Sequence, residues 1–115
     1  DYIAMDVKSE FSNYSSVVGS NVDVDRLKSS IDLIRESGVK HEFRTTMVPG
    51  LVGKKEILAI SEYLKGSKLY VIQNFMNKKE VLDSSLKKVE PYKPEDLKGF
   101  KKAAIPYFEN VLVRD

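Results

Sequence analysis

The chain predicts an α/β fold in which parallel strands alternate with helices. Two features predict it. Short apolar runs alternate with amphipathic stretches in the order strand–helix–strand–helix–strand–helix–strand, the rhythm of parallel strands joined by right-handed crossovers. The first run, residues 2–7, is almost continuously apolar, as expected of a strand covered on both faces of a parallel sheet. A doubly wound sheet and part of a (β/α) barrel both satisfy this order.

The elements follow from local chemistry. Residues 2–7 form the first strand, broken only by Asp6. Residues 9–22, rich in Ser and Asn, predict a loop with a short turn of helix. Asp23 then offers an N-cap, and Val24, Leu27, Ile31 and Ile34 recur at steps of three and four along one helical face. Gly38 stops that helix. His41 to Val48 predicts the second strand, with Phe43, Thr45 and Met47 on one face and Glu42, Arg44 and Thr46 on the other. Pro49-Gly50 makes a turn. Leu51 to Leu64 predicts a helix with Ile57, Ile60 and Leu64 inward, and Leu69 to Asn74 the third strand. A polar connection runs from Met76 to Lys93, with Val81, Leu82 and Leu86 expected to fold onto the body. Pro94 opens the last helix from its first turn. Leu97, Phe100, Ala104 and Tyr107 form its stripe, Pro106 distorts its end, and Val111 to Val113 closes the pattern as a strand.

The 115 residues, 42% hydrophobic and 31% charged, fit one globular domain spanning 1–115. A net charge of +2 implies no strong nucleic-acid field, because the lysines after residue 78 are interleaved with Glu and Asp. No apolar run is long enough to span a bilayer, and no secretory signal is seen, so cytoplasm is the default location. There is no cysteine, which excludes disulfides and thiolate metal sites in this chain. His41 is the only imidazole and has no catalytic partner at useful spacing.

Ligands of α/β sheets bind at the carboxyl ends of the strands. Those ends carry Asp6 and Lys8, then Arg44 and Thr46, then Gln73 and Asn74. Asp6 and Lys8 are two apart, so on a strand they share a face and could grip a zwitterion. Two readings stand side by side: a ligand site, or an ion network in which Asp6, Lys8 and Arg44 pair with one another. Phosphate loops of the G-x-G-x-x-G and P-loop types are absent, and Gly50 and Gly53 at a helix start are a weak anion signal.

Three segments carry a resemblance. Asp1-Tyr-Ile-Ala-Met-Asp-Val-Lys8, Tyr14-Ser-Ser-Val-Val-Gly19 and Glu42-Phe-Arg-Thr-Thr-Met-Val-Pro-Gly50 resemble the carboxyl-terminal half of radical SAM activating enzymes. These include the activating proteins of anaerobic ribonucleoside-triphosphate reductase and of pyruvate formate-lyase. The resemblance covers about residues 1–75, in order. It implies a partial (β/α) barrel in which an upstream Cys-x-x-x-Cys-x-x-Cys loop binds a [4Fe-4S] cluster that chelates S-adenosylmethionine. The radical formed from it activates a glycyl-radical enzyme, the expected partner. By the same resemblance Asp6 and Lys8 hold the methionyl end of S-adenosylmethionine, Asp6 with a cation beside it, and Arg44 approaches the same cofactor. With Thr46, Gln73 and Asn74 they form the candidate cofactor-binding set. This chain departs from the pyruvate formate-lyase type at Gln73-Asn74-Phe75, where that type has a histidine, and it lacks the cysteine loop.

The expectation is a fragment, since the chain begins inside its first strand. Such a piece would be catalytically dead for want of cluster ligands and prone to self-association through an open sheet edge. The alternative is a stand-alone α/β binding module without catalysis. A barrel with Lys8 as Schiff-base amine fits less well, because Asp6 beside it would hold it protonated.

Overall fold

A computed structural model describes residues 2–19, 21–75 and 90–114. The strands are β1 (Tyr2–Asp6), β2 (Lys40–Met47), β3 (Leu69–Asn74) and β4 (Asn110–Arg114). The helices are α1 (Tyr14–Val18), preceded by a 3₁₀ turn at Phe11–Asn13, then α2 (Val24–Glu36), α3 (Lys54–Leu64) and α4 (Pro94–Ala104), which runs into a 3₁₀ turn at Ile105–Tyr107. The four strands lie in the order β1-β2-β3-β4, all parallel, with Asp6 opposite Arg44, Thr46 opposite Gln73 and Gln73 opposite Arg114.

The helices form where their ends are capped and one face is apolar. Asp23 accepts the Arg26 N–H at 3.2 Å to start α2, and Ile31 of that helix is fully buried. Ile57, Ile60 and Leu64 of α3 and Leu97, Phe100 and Ala104 of α4 join Phe43, Met47, Tyr70, Ile72 and Val111 in a single core. The three longer helices therefore cover one face of the sheet. Sequential strand order with helices on one side is the arc of a barrel wall; a doubly wound sheet reverses its order and has helices on both sides. The structure is a partial (β/α) unit, and the barrel is not closed.

Several boundaries move. The second strand is Lys40–Met47 instead of residues 41–48, and the last lengthens to Asn110–Arg114. The helix expected from Leu51 starts at Lys54. Gly50, at φ 84°, turns the chain, and the N–H groups of Leu51 and Val52 both donate to the Val48 carbonyl, at 3.0 and 2.8 Å. Only at Gly53 does the helix begin, where the Glu56 carboxylate accepts the Gly53 N–H at 2.7 Å. Pro106 lies in the 3₁₀ turn that ends α4, and Tyr107 packs on the core from there. Residues 76–89, with Val81, Leu82 and Leu86, lie outside the described residues.

The first strand is corrected more substantially. It is not covered on both faces: Tyr2, Ala4 and Asp6 are exposed and alternate with half-buried Ile3 and Met5. Ile3 and Met5 point toward the helices, and Ala4 adds apolarity to the run without being buried. Among the described residues, no helix is long and apolar enough to cross a membrane.

Candidate functional site

Opposite the helices, the sheet face left open among the described residues carries Tyr2 and Asp6 from β1, Glu42, Arg44 and Thr46 from β2, Val71 and Gln73 from β3, and Leu112 and Arg114 from β4. Their side chains share this face because strand side chains alternate. At its carboxyl end Arg44 Nε donates to Asp6 Oδ1 at 2.8 Å, with the two side chains 30% and 47% exposed. The pair lies between register partners on adjacent strands. It is accessible to solvent and so to a ligand.

Lys8 lies beyond the last residue of β1 and is exposed. It makes no ion pair among the described residues. Its backbone is fixed all the same. The Val7 N–H donates to the Arg44 carbonyl at 2.7 Å, the Thr45 hydroxyl donates to the Val7 carbonyl at 2.7 Å, and the Lys8 N–H donates to the Tyr14 phenol oxygen at 3.1 Å. Thr45 in turn accepts from Tyr70 Oη at 2.5 Å. Burial pushes the phenols of Tyr14 and Tyr70 above the ordinary tyrosine value, so both stay neutral at physiological pH.

Further along the rim, Thr46 Oγ1 donates to Gln73 Oε1 at 3.4 Å, a long contact between adjacent strands. Asn74 is different. It alternates with Gln73 and so faces the helix side, where its Nδ2 donates to the Tyr92 carbonyl at 3.1 Å. Its Oδ1 is buried without a hydrogen-bond partner among the described residues. The structure thus brings together Asp6 and Arg44, leaves Lys8 exposed two residues further along on the following loop, adds Thr46 and Gln73 on the same face, and turns Asn74 away.

A second polar group on the open face was not singled out from the sequence. The Glu42 side chain, 6% exposed, accepts from Arg114 Nη1 at 3.1 Å and from Tyr2 Oη at 2.8 Å. Its hydrogen bond to Tyr2, with burial, raises the Tyr2 phenol above its usual value. The alternation that assigned Arg44 and Thr46 to one face also assigns Glu42 there, and the fourth strand end, Arg114, completes the set of strand ends. Those were the available signals. Among the described residues, no group of three or more His, Asp or Glu side chains is arranged to hold a metal ion.

No protein-family model matches the chain. The chain is 35% identical to a candidate glycyl-radical enzyme activating enzyme of Methanocaldococcus jannaschii, over 118 aligned positions that take in 99% of this chain and 49% of that protein. It therefore spans about half the length of the curated relative it matches. This similarity bears out the resemblance to an activating enzyme of a glycyl-radical enzyme and takes in nearly the whole chain.

Proposed function

We propose that this chain is the carboxyl-terminal part of an activating enzyme for a glycyl-radical enzyme, and that it forms one wall of an S-adenosylmethionine site. The supporting observation is the Asp6–Arg44 pair at the carboxyl ends of β1 and β2, on the sheet face opposite the helices of the described residues, with exposed Lys8 two residues beyond Asp6. A carboxylate beside a guanidinium, with an exposed ammonium on the next loop, suits the donor set of an amino-acid zwitterion: Asp6 takes the α-ammonium, and Lys8 and Arg44 take the α-carboxylate. Thr46 and Gln73 continue the same face and can hydrogen-bond the remainder of the cofactor.

S-adenosylmethionine bound to a reduced [4Fe-4S] cluster supplies radical chemistry. This chain has no cysteine, so every cluster thiolate would come from another part of the protein. The role of the residues here is to bind and orient, and the Asp6–Arg44 pair opens to admit the ligand's own charges. The partner would be a glycyl-radical enzyme of the ribonucleotide reductase or pyruvate formate-lyase type.

One observation favours the other reading, a binding module in which Asp6 and Arg44 are structural: their 2.8 Å contact is already satisfied without a ligand. The experiment that separates the two is Lys8→Met in the intact protein, read by S-adenosylmethionine titration and by chemical denaturation. The ligand-site reading expects loss of binding at unchanged stability. Unchanged binding with lost stability would overturn it.

A further inference from the structure

Tyr14 belongs to none of the groups that would touch a ligand, yet its phenol oxygen lies 3.1 Å from the backbone nitrogen of Lys8. The ring behind that oxygen is held firmly. It is 5% exposed and stacks on Phe11 with ring centroids 6.4 Å apart. Phe11 meets Tyr63 of α3 edge to face at 4.8 Å, and Lys28 of α2 sets its ammonium 4.9 Å from the Phe11 centroid. Through Phe11, two helices thus back the ring that carries the phenol oxygen.

The amide it meets is the last backbone group held by another element before the chain leaves the sheet. Asp6 ends β1. Val7 is held on both sides, by Arg44 O and by Thr45 Oγ1, each at 2.7 Å. Without the Tyr14 contact, the Lys8 N–H would have no partner among the described residues, and the lysine would start from a loose backbone. A long flexible side chain is only as well aimed as the Cα that carries it. Sites that are loose by about 1 Å lose most of their effect.

We infer that Tyr14 is a positioning residue for Lys8, fixing its backbone so that the ammonium is presented at the open face. This rests on the reading of Lys8 as a ligand-binding group. Tyr14 touches no ligand itself and acts only through Lys8.

The test is a double-mutant cycle in the intact protein, titrated at equilibrium with S-adenosylmethionine: wild type, Tyr14→Phe, Lys8→Met and the double variant. Tyr14→Phe keeps the buried ring and removes only the oxygen. It is expected to weaken binding about tenfold, the equivalent of about 1.4 kcal/mol. In the Lys8→Met background the same change is expected to have no effect. Hydrogen exchange of the Lys8 amide in this chain should accelerate in Tyr14→Phe while the melting temperature stays close to wild type. An equal loss in both backgrounds would make Tyr14 a merely structural staple and overturn the inference while leaving the cofactor reading intact. If Lys8→Met itself leaves binding unchanged, the cofactor reading falls and the inference falls with it.

Discussion

Arg114 at the end of β4 reaches Glu42 on β2, Nη1 to Oε2 at 3.1 Å, and because β3 lies between those strands the contact must cross it. Val71 of β3, opposite Arg44 and Leu112 in register, is fully buried on the face opposite the helices of the described residues. Among the described residues the Arg114 side chain crosses this face beside Val71, and long arginine stems shield apolar surface. With Tyr2 also donating to Glu42 at 2.8 Å, one carboxylate ties both outer strands to the second.

Breaking that tie from one side should be costly. Arg114→Met leaves the nearly buried Glu42 carboxylate with only Tyr2. Unfolding by urea should show a loss of about 1–3 kcal/mol, toward the low end because Arg114 is half exposed. Combining it with Glu42→Leu removes the buried charge and should recover most of the loss. Equal destabilisation by the single and double variants would contradict this account.

On the helix side of the sheet, Tyr70 Oη, Thr45 Oγ1 and the Val7 carbonyl form a buried relay across β3, β2 and the end of β1. Thr45→Val keeps the shape and strands two polar groups. It should cost about 1–3 kcal/mol, measured by chemical denaturation. A neutral effect would mean that the relay does not fix the segment between Asp6 and Lys8.

How legible was this from the residues? The third strand was, with its boundaries at Leu69 and Asn74, because Leu69-Tyr-Val-Ile72 is apolar and Lys68 and Gln73 bracket it. The helix starts at Asp23, an N-cap, and at Pro94, in the first turn, were legible too, since these end signals are local. One-sided burial of the first strand was not. Ala4 between Ile3 and Met5 reads as core although it faces outward. At the site, Asp6 and Arg44 were legible from their place at strand ends. The Asp6–Arg44 pairing itself depends on register, which the sequence left open. Tyr14 was hidden as a positioning group, because a bond from a side chain to a backbone amide leaves no spacing pattern. Asn74 follows Gln73 in the sequence, and alternation alone separates the two onto opposite faces.

Alkaline pH should act through Tyr70. Burial holds its phenol above the unfolded value of about 10. The folded state then favours the neutral phenol. Its contribution is complete below the unfolded pKa and is lost as pH rises through the folded one. Thermal melts should fall steeply above about pH 10, and Tyr70→Phe should flatten that fall. An unchanged slope in Tyr70→Phe would assign the alkaline loss to other groups.

Lys8 offers a contrast with Arg114. It is exposed and has no ion-pair partner among the described residues. Lys8→Met should shift stability by no more than about 0.5 kcal/mol in denaturant, as expected for a surface change. A loss near 3 kcal/mol, typical of breaking a buried pair, would instead make Lys8 part of a structural network.

The central claim is that the open ends of β1 and β2 grip a zwitterionic cofactor, and equilibrium titration of the intact protein with S-adenosylmethionine tests it most directly. Wild type is expected to bind, Asp6→Asn and Lys8→Met to weaken binding at least tenfold, about 1.4 kcal/mol each, with folding unimpaired. Full affinity in both variants would contradict the claim and leave the Asp6–Arg44 pair as a structural contact.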